Sequence, residues 1–134
     1  MSKQVFISLP VADLPRSMAF FQALGYAPNP AFSGDEAACI VINDTTFVML
    51  LSHAKWRGMT TKAICDARQS AEVSINLACE SREQVIGLMA KAVAAGGTAT
   101  GQPEDHGFMY QHGFADPDGH EWGLFAMSGT PPQA

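Results

Sequence analysis

Residues 5–25 read VFISLPVADLPRSMAFFQALG, and residues 73–97 read VSINLACESREQVIGLMAKAVAAGG. In the first stretch Val5, Ile7, Leu9 and Val11 alternate with Phe6, Ser8 and Pro10, the period of a half-buried strand. Asp13 then stands where a helix N-cap belongs, and Pro15 suits the first turn. Leu14, Met18 and Phe21 share one helical face, with Phe20 and Leu24 beside it, and Gly25 is a C-terminal stop. The second stretch repeats the scheme. Val73, Ile75, Leu77 and Cys79 alternate with Ser74, Asn76 and Ala78. Ser81 caps the next helix, and Gln84 completes a capping-box spacing. Val85, Leu88, Met89 and Ala92 form its buried stripe before Gly96-Gly97. Leu9 and Leu77 are 68 residues apart, and Gly25 and Gly96 are 71 apart, in a chain of 134. The spacing is half the protein, which predicts an internal duplication.

Working outward, each helix is followed by strand patterns. In the first half these are Ala27 to Phe32, weakened by two prolines, Glu36 to Ile42, and Thr45 to Ser52. Asn43-Asp44 fits a tight hairpin between the last two. In the second half they are Thr98 to Gly101, Phe108 to Ala115, and Glu121 to Met127. Asp116-Pro117-Asp118-Gly119 suits a type I turn. The plan is strand–helix–strand–strand–strand, twice. One domain over 1–127 holds a first module at about 3–52 and a second at about 71–127. Residues 53–70 form a linker with room for a helical turn or two, and 128–134 a loose tail.

Composition narrows the function. The chain is 47% hydrophobic and 16% charged, with net charge -5 and eight Lys and Arg residues. The basic residues are not clustered, which argues against a nucleic-acid partner and against a polybasic membrane anchor. No apolar run approaches a membrane span, and the first residues lack a signal-peptide apolar block. The three cysteines, Cys39, Cys65 and Cys79, have no C-x-x-C spacing and fit free thiols of a cytoplasmic protein.

Leu9-Pro-Val-Ala-Asp-Leu-Pro-Arg-Ser-Met-Ala-Phe-Phe21, with Ala23-Leu-Gly-Tyr26, resembles the opening of the vicinal oxygen chelate superfamily, which comprises glyoxalases, bleomycin resistance proteins and dioxygenases. Phe114-Ala-Asp-Pro-Asp-Gly-His120 resembles its last hairpin. Met49-Leu-Leu-Ser-His53 and Asp105-His-Gly-Phe-Met-Tyr110 resemble the branch of predicted lactoylglutathione lyases. The resemblance spans about residues 4 to 127. It implies an α+β fold of two tandem βαβββ modules curling into a half-open β-barrel around a cavity, in proteins that are usually homodimers.

Strand geometry assigns the faces. Phe6, Ser8 and Pro10 oppose the core residues of the first strand, as Ser74, Asn76 and Ala78 do in the fifth. In the last strand Trp122, Leu124 and Ala126 oppose Glu121, Gly123 and Phe125, and the resemblance places position 123 in the cavity. The candidate ligand cavity is therefore Phe6, Ser8, Met49, Leu51, Ser74, Asn76, Glu121, Gly123 and Phe125. In the metal-dependent members of the superfamily, the resemblance puts the ligands at Phe6, within Met49 to Leu51, at Ser74 and at Gly123. These residues offer no imidazole, carboxylate or thiolate, so neither metal ligands nor another cofactor are expected. A divalent ion elsewhere stays open, because His106, His112 and His120 lie close in sequence without a convergent spacing.

An apolar pocket with a few placed polar groups suits a small organic ligand. The alternative is a lyase, isomerase or dioxygenase-like enzyme using Glu121, His112 or Tyr110. An acid set against Phe6 and Phe125 has a reason to hold its proton and could act as a proton carrier. A partner-binding module without a ligand is a third reading.

Overall fold

The computed structural model describes residues 3–129. It divides into two compact units, the first ending at Asp66 and the second beginning at Ala67. The first unit carries β1 (Val5–Val11), α1 (Leu14–Ala23), β2 (Pro28–Asn29), β3 (Ala37–Val41), β4 (Thr46–Ser52) and the short α2 (His53–Arg57). The second carries β5 (Ser74–Cys79), α3 (Arg82–Ala94), β6 (Thr98–Asp105), β7 (Met109–Ala115) and β8 (Glu121–Met127). Each unit forms one four-stranded mixed sheet, ordered β1-β4-β3-β2 and β5-β8-β7-β6. The first strand of each unit pairs in parallel with its last, and the other pairings are antiparallel. Two tandem βαβββ modules of one design result.

The helix ends show how closely the design is repeated. Asp13 accepts the amide of Arg16 at 3.1 Å, and Ser81 accepts that of Gln84 at 3.1 Å. The Gln84 side chain also accepts the amide of Glu80 at 2.7 Å, one residue before the cap. At the C-termini, Tyr26 and Gly25 donate to the carbonyls of Phe21 and Gln22, and Gly97 and Gly96 donate to those of Ala92 and Val93. Gly25 has φ +102° and Gly96 φ +109°, so each helix closes on a left-handed glycine with the paired bonds of a Schellman motif.

In each unit, one face of the sheet packs on its helix. In the first unit Leu14, Phe20, Phe21 and Leu24 are buried with Leu9, Val48, Leu50 and Ile40. Ser17 is buried among them, while Met18, expected in the stripe, is half-buried. In the second, Val85, Met89 and Ala92 are buried with Ile75, Trp122, Leu124 and Phe114. The alternation extends too far at the outer ends, where Val5 and Val73 are exposed and Val73 precedes its strand.

Several boundaries differ from the sequence reading. The 27–32 strand shrinks to Pro28–Asn29, after which Pro30–Phe32 turns as a 3-10 helix capped by Asn29. Neither proline has an N–H to donate to a ladder. The β3–β4 turn is wider than Asn43-Asp44: Ile42 and Asn43 both donate to the Thr46 carbonyl, and the Asn43 side chain accepts the Thr45 amide at 2.9 Å. Strand β6 runs four residues past Gly101, through an irregularity in its pairing with β7. Within the 53–70 segment, α2 packs on β4 and β1, whereas Arg68 donates to the Pro117 carbonyl in the second unit. Of the 128–134 tail, Ser128 is tied by its amide and hydroxyl to the carbonyls of Phe108 and Gly107, at 2.7 and 2.8 Å. Residues 130–134 lie outside the described residues.

Candidate functional site

In the second unit, register builds a recess on the sheet face opposite α3. Three rows of neighbours cross it. Ser74 pairs with Glu121, which pairs with Ala115. Asn76 pairs with Gly123, then Gly113, then Thr100. Ala78 pairs with Phe125, then Gln111, then Glu104. Between Thr100 and Glu104, β6 spends two extra residues against β7, which brings Gln102 into the lining. The recess encloses about 250 Å³.

Its floor is the glycine pair Gly113 and Gly123. A Cβ on Gly113 would stand 2.8 Å from the Trp122 carbonyl and 2.9 Å from Thr100 Oγ1. A Cβ on Gly123 would overlap Asn76 Oδ1, so the Asn76 carboxamide occupies the room that a side chain at 123 needs. The Asn76 amide group also points back to the Ser74 carbonyl at 3.4 Å, a long bond. The walls are polar. Glu104 Oε2 accepts Gln111 Nε2 at 2.7 Å and lies 3.2 Å from His106 Nε2. The Gln111 hydrogen bond, with His106 second, holds the Glu104 carboxyl below its ordinary value. Glu121 stands at the other end, exposed and with no hydrogen bond or ion pair to the described residues. Among the described residues no lysine or arginine lines the recess.

Five of the expected cavity residues therefore meet: Ser74, Asn76, Glu121, Gly123 and Phe125. The other four are in the first unit. There Phe6 pairs with Phe47, Ser8 with Met49, and Pro10 with Leu51, so all share the face opposite α1. The Phe6 ring stacks on Phe47 with centroids 4.8 Å apart, and Phe32 meets it edge-on at 6.3 Å. Cys39, paired with Met49, is fully buried, and burial pushes its thiol up, away from the reactive thiolate.

The three catalytic candidates are not gathered. Register puts Tyr110 opposite Ala126 and His112 opposite Leu124, on the face toward α3. Accordingly the Arg82 guanidinium at the start of α3 lies 4.6 Å over the Tyr110 ring. His112 borders the recess from the side, with Nε2 3.1 Å from the Gly101 carbonyl. Glu121 is exposed rather than enclosed, so the burial behind the proton-carrier expectation is absent. The sequence reading missed Thr100, Gln102, Glu104, Gln111 and Gly113. Phe108, Tyr110, His112 and Phe114 share one parity along the Phe108 to Ala115 stretch. Pairing that group with the Trp122 face would have put Gln111 and Gly113 in the recess.

The positions that hold a metal in the superfamily's metal-dependent members do not fit one here. Phe6 is stacked, Met49, Leu50 and Leu51 are apolar, Ser74 is a neutral hydroxyl, and Gly123 lies under an amide. Among the described residues no three His, Cys, Asp or Glu side chains converge. His106 engages Glu104, His112 meets Gly101, and His120 adjoins Asp116 in the last turn.

That turn is structural. Asp116 is buried, and its Oδ1 accepts the amides of Asp118 and His120, each at 3.0 Å. Its Oδ2 accepts Trp122 Nε1 at 3.1 Å, which fixes the start of β8 and the stacking of Trp122 on Phe114.

Comparisons with known proteins follow the same architecture. The family model for the Glyoxalase/Bleomycin resistance protein/Dioxygenase superfamily matches residues 3–124. No curated protein matches the chain. Among solved structures, a hypothetical protein from S. aureus is 28% identical with a TM-score of 0.80, covering 94% of this chain and 95% of its own. A glyoxalase-related enzyme from Fulvimarina pelagi is 23% identical with a TM-score of 0.81, covering 100% and 94%. A genomically encoded fosfomycin resistance protein from Listeria monocytogenes is 21% identical with a TM-score of 0.68, covering 100% and 96%.

Proposed function

This chain belongs to the Glyoxalase/Bleomycin resistance protein/Dioxygenase superfamily, and we propose that it binds a small organic ligand in the recess of its second unit without the metal of the superfamily's metal-dependent members. The observation that carries the reading is the Asn76–Gly123 pair. An amide fills the space over a backbone position where the resemblance puts a metal-binding carboxylate. Neutral amides and hydroxyls around a concave floor recognise a ligand by hydrogen bonding. Calorimetric titration of metal-stripped protein with Zn²⁺, Ni²⁺, Mn²⁺ and Fe²⁺ tests this. The expected result is no stoichiometric, tight binding by any of the four. A tight 1:1 isotherm overturns the metal-free reading.

An enzymatic reading, closer to the lactoylglutathione lyases, draws on one feature: the Glu121 carboxylate, which faces the recess with no partner among the described residues. Turnover of a methylglyoxal–glutathione hemithioacetal that disappears in Glu121→Gln would favour it. The chain also fits a homodimer. All eight residues of edge strand β6 are exposed, and a second subunit would cover such an edge. Sedimentation at micromolar concentration should give a dimer, and a monomer would count against it.

A further inference from the structure

The recess has a chemical sign. Among the described residues its lining offers carboxylate acceptors at both ends and no lysine or arginine. Glu104 and Glu121 stand at opposite ends, in rows separated by the Asn76–Gly123–Gly113–Thr100 row. The two carboxylates are not equivalent. Glu104 is already engaged by Gln111 and His106, whereas Glu121 has no partner among the described residues. Ser74, its register neighbour, adds a hydroxyl beside it. Phe125, in the Glu104 row, supplies the apolar contact. An anionic ligand would meet the Glu121 carboxylate with no compensating partner among the described residues, in a chain whose net charge is already -5.

We infer that the recess takes a small organic cation, a protonated amine with a neighbouring hydroxyl. Its ammonium group sits at Glu121 and Ser74, its hydroxyl contacts the amide and hydroxyl groups of the central row, and its hydrocarbon part lies toward Phe125. The inference rests on the ligand-binding reading above and adds the charge class to it. Gly113 and Gly123 leave the space over β7 and β8 to the Thr100 hydroxyl and the Asn76 amide, the groups that the ligand's hydroxyl meets.

Three probes of one shape separate the possibilities: trans-2-aminocyclohexanol, cyclohexane-1,2-diol and 2-hydroxycyclohexanecarboxylate. Each is titrated into ¹⁵N-labelled full-length chain, with the amides of Gly113 and Gly123 followed by NMR. The expected result is that the amine shifts both resonances and binds about tenfold more tightly than the diol, the scale of one partly screened charge pair. The carboxylate should leave them unmoved. Raising NaCl from about 50 to 500 mM should weaken the amine and spare the diol. Glu121→Gln, a change at an exposed residue, should bring the amine down to the diol's affinity. Its unperturbed spectrum elsewhere would report an intact fold.

Equal affinity of amine and diol at these resonances overturns the charge class and leaves small-molecule binding standing. Tighter binding of the carboxylate also overturns it. If none of the three moves either glycine, both the charge class and the ligand-binding reading of this recess fall.

Discussion

At the residue scale, the Asn76 amide and the backbone of Gly123 compete for one volume, so each dictates the other. Gly123→Ala would drive a Cβ into Asn76 Oδ1, and overpacking of this kind costs about 1–3 kcal/mol. Removing the obstacle should recover most of that loss. Urea denaturation of Gly123→Ala, Asn76→Ala and the double variant should therefore show the double more stable than the sum of the singles predicts. Asp116 is the second decisive residue. Asparagine in its place keeps an acceptor for the Asp118 and His120 amides but turns an N–H donor toward Trp122 Nε1. A buried donor left unsatisfied costs about 1–3 kcal/mol, so Asp116→Asn should lower the urea midpoint by a matching amount while leaving the m-value unchanged.

At the element scale, the β6–β7 hairpin carries an acid-sensitive set. Gly107's amide donates to Asp105 at 2.9 Å and Arg82 approaches it at 2.6 Å, and the Gly107 bond followed by Arg82 holds the Asp105 carboxyl below its ordinary value. A carboxyl depressed in the folded chain contributes stability above its unfolded value, and loses it as pH falls through the folded one. Asp116 acts with the opposite sign, because burial raises its carboxyl against the offsetting pull of His120 and the N–H donors. Its contribution is present below the unfolded value and fades as pH rises through the folded one. Thermal melts from about pH 6 to pH 3, spanning the ordinary carboxylate range, should show a shallower acid-side loss in Asp105→Asn than in the unmodified chain. Helix ends were legible in the sequence because caps and glycine stops are local chemistry. Strand lengths were less so. Pro28 and Pro30 ended β2 early, while β6 continued past Gly101 and through Pro103, since an edge strand tolerates both a bulge and a missing N–H.

At the scale of the whole molecule, duplication was the most legible feature, because two segments about half a chain apart repeat the same alternation, cap and stop. The candidate site was legible in part. Parity along β5 and β8 follows from strong apolar alternation, so it puts Ser74, Asn76, Glu121, Gly123 and Phe125 on one face, where the structure has them. Parity along β7 depends on which β8 residues it faces, and the acidic and amide walls on β6 depend on an irregular register, neither of which one strand's pattern reveals. The repeat has a spectroscopic consequence as well. The chain has two tryptophans, one in each unit: Trp56 on α2, half-buried, and Trp122 on β8, almost fully buried over Phe114. Their emission therefore reports on separate halves of the polypeptide. With Trp56 replaced by phenylalanine, the remaining fluorescence would follow the half that holds the recess by itself.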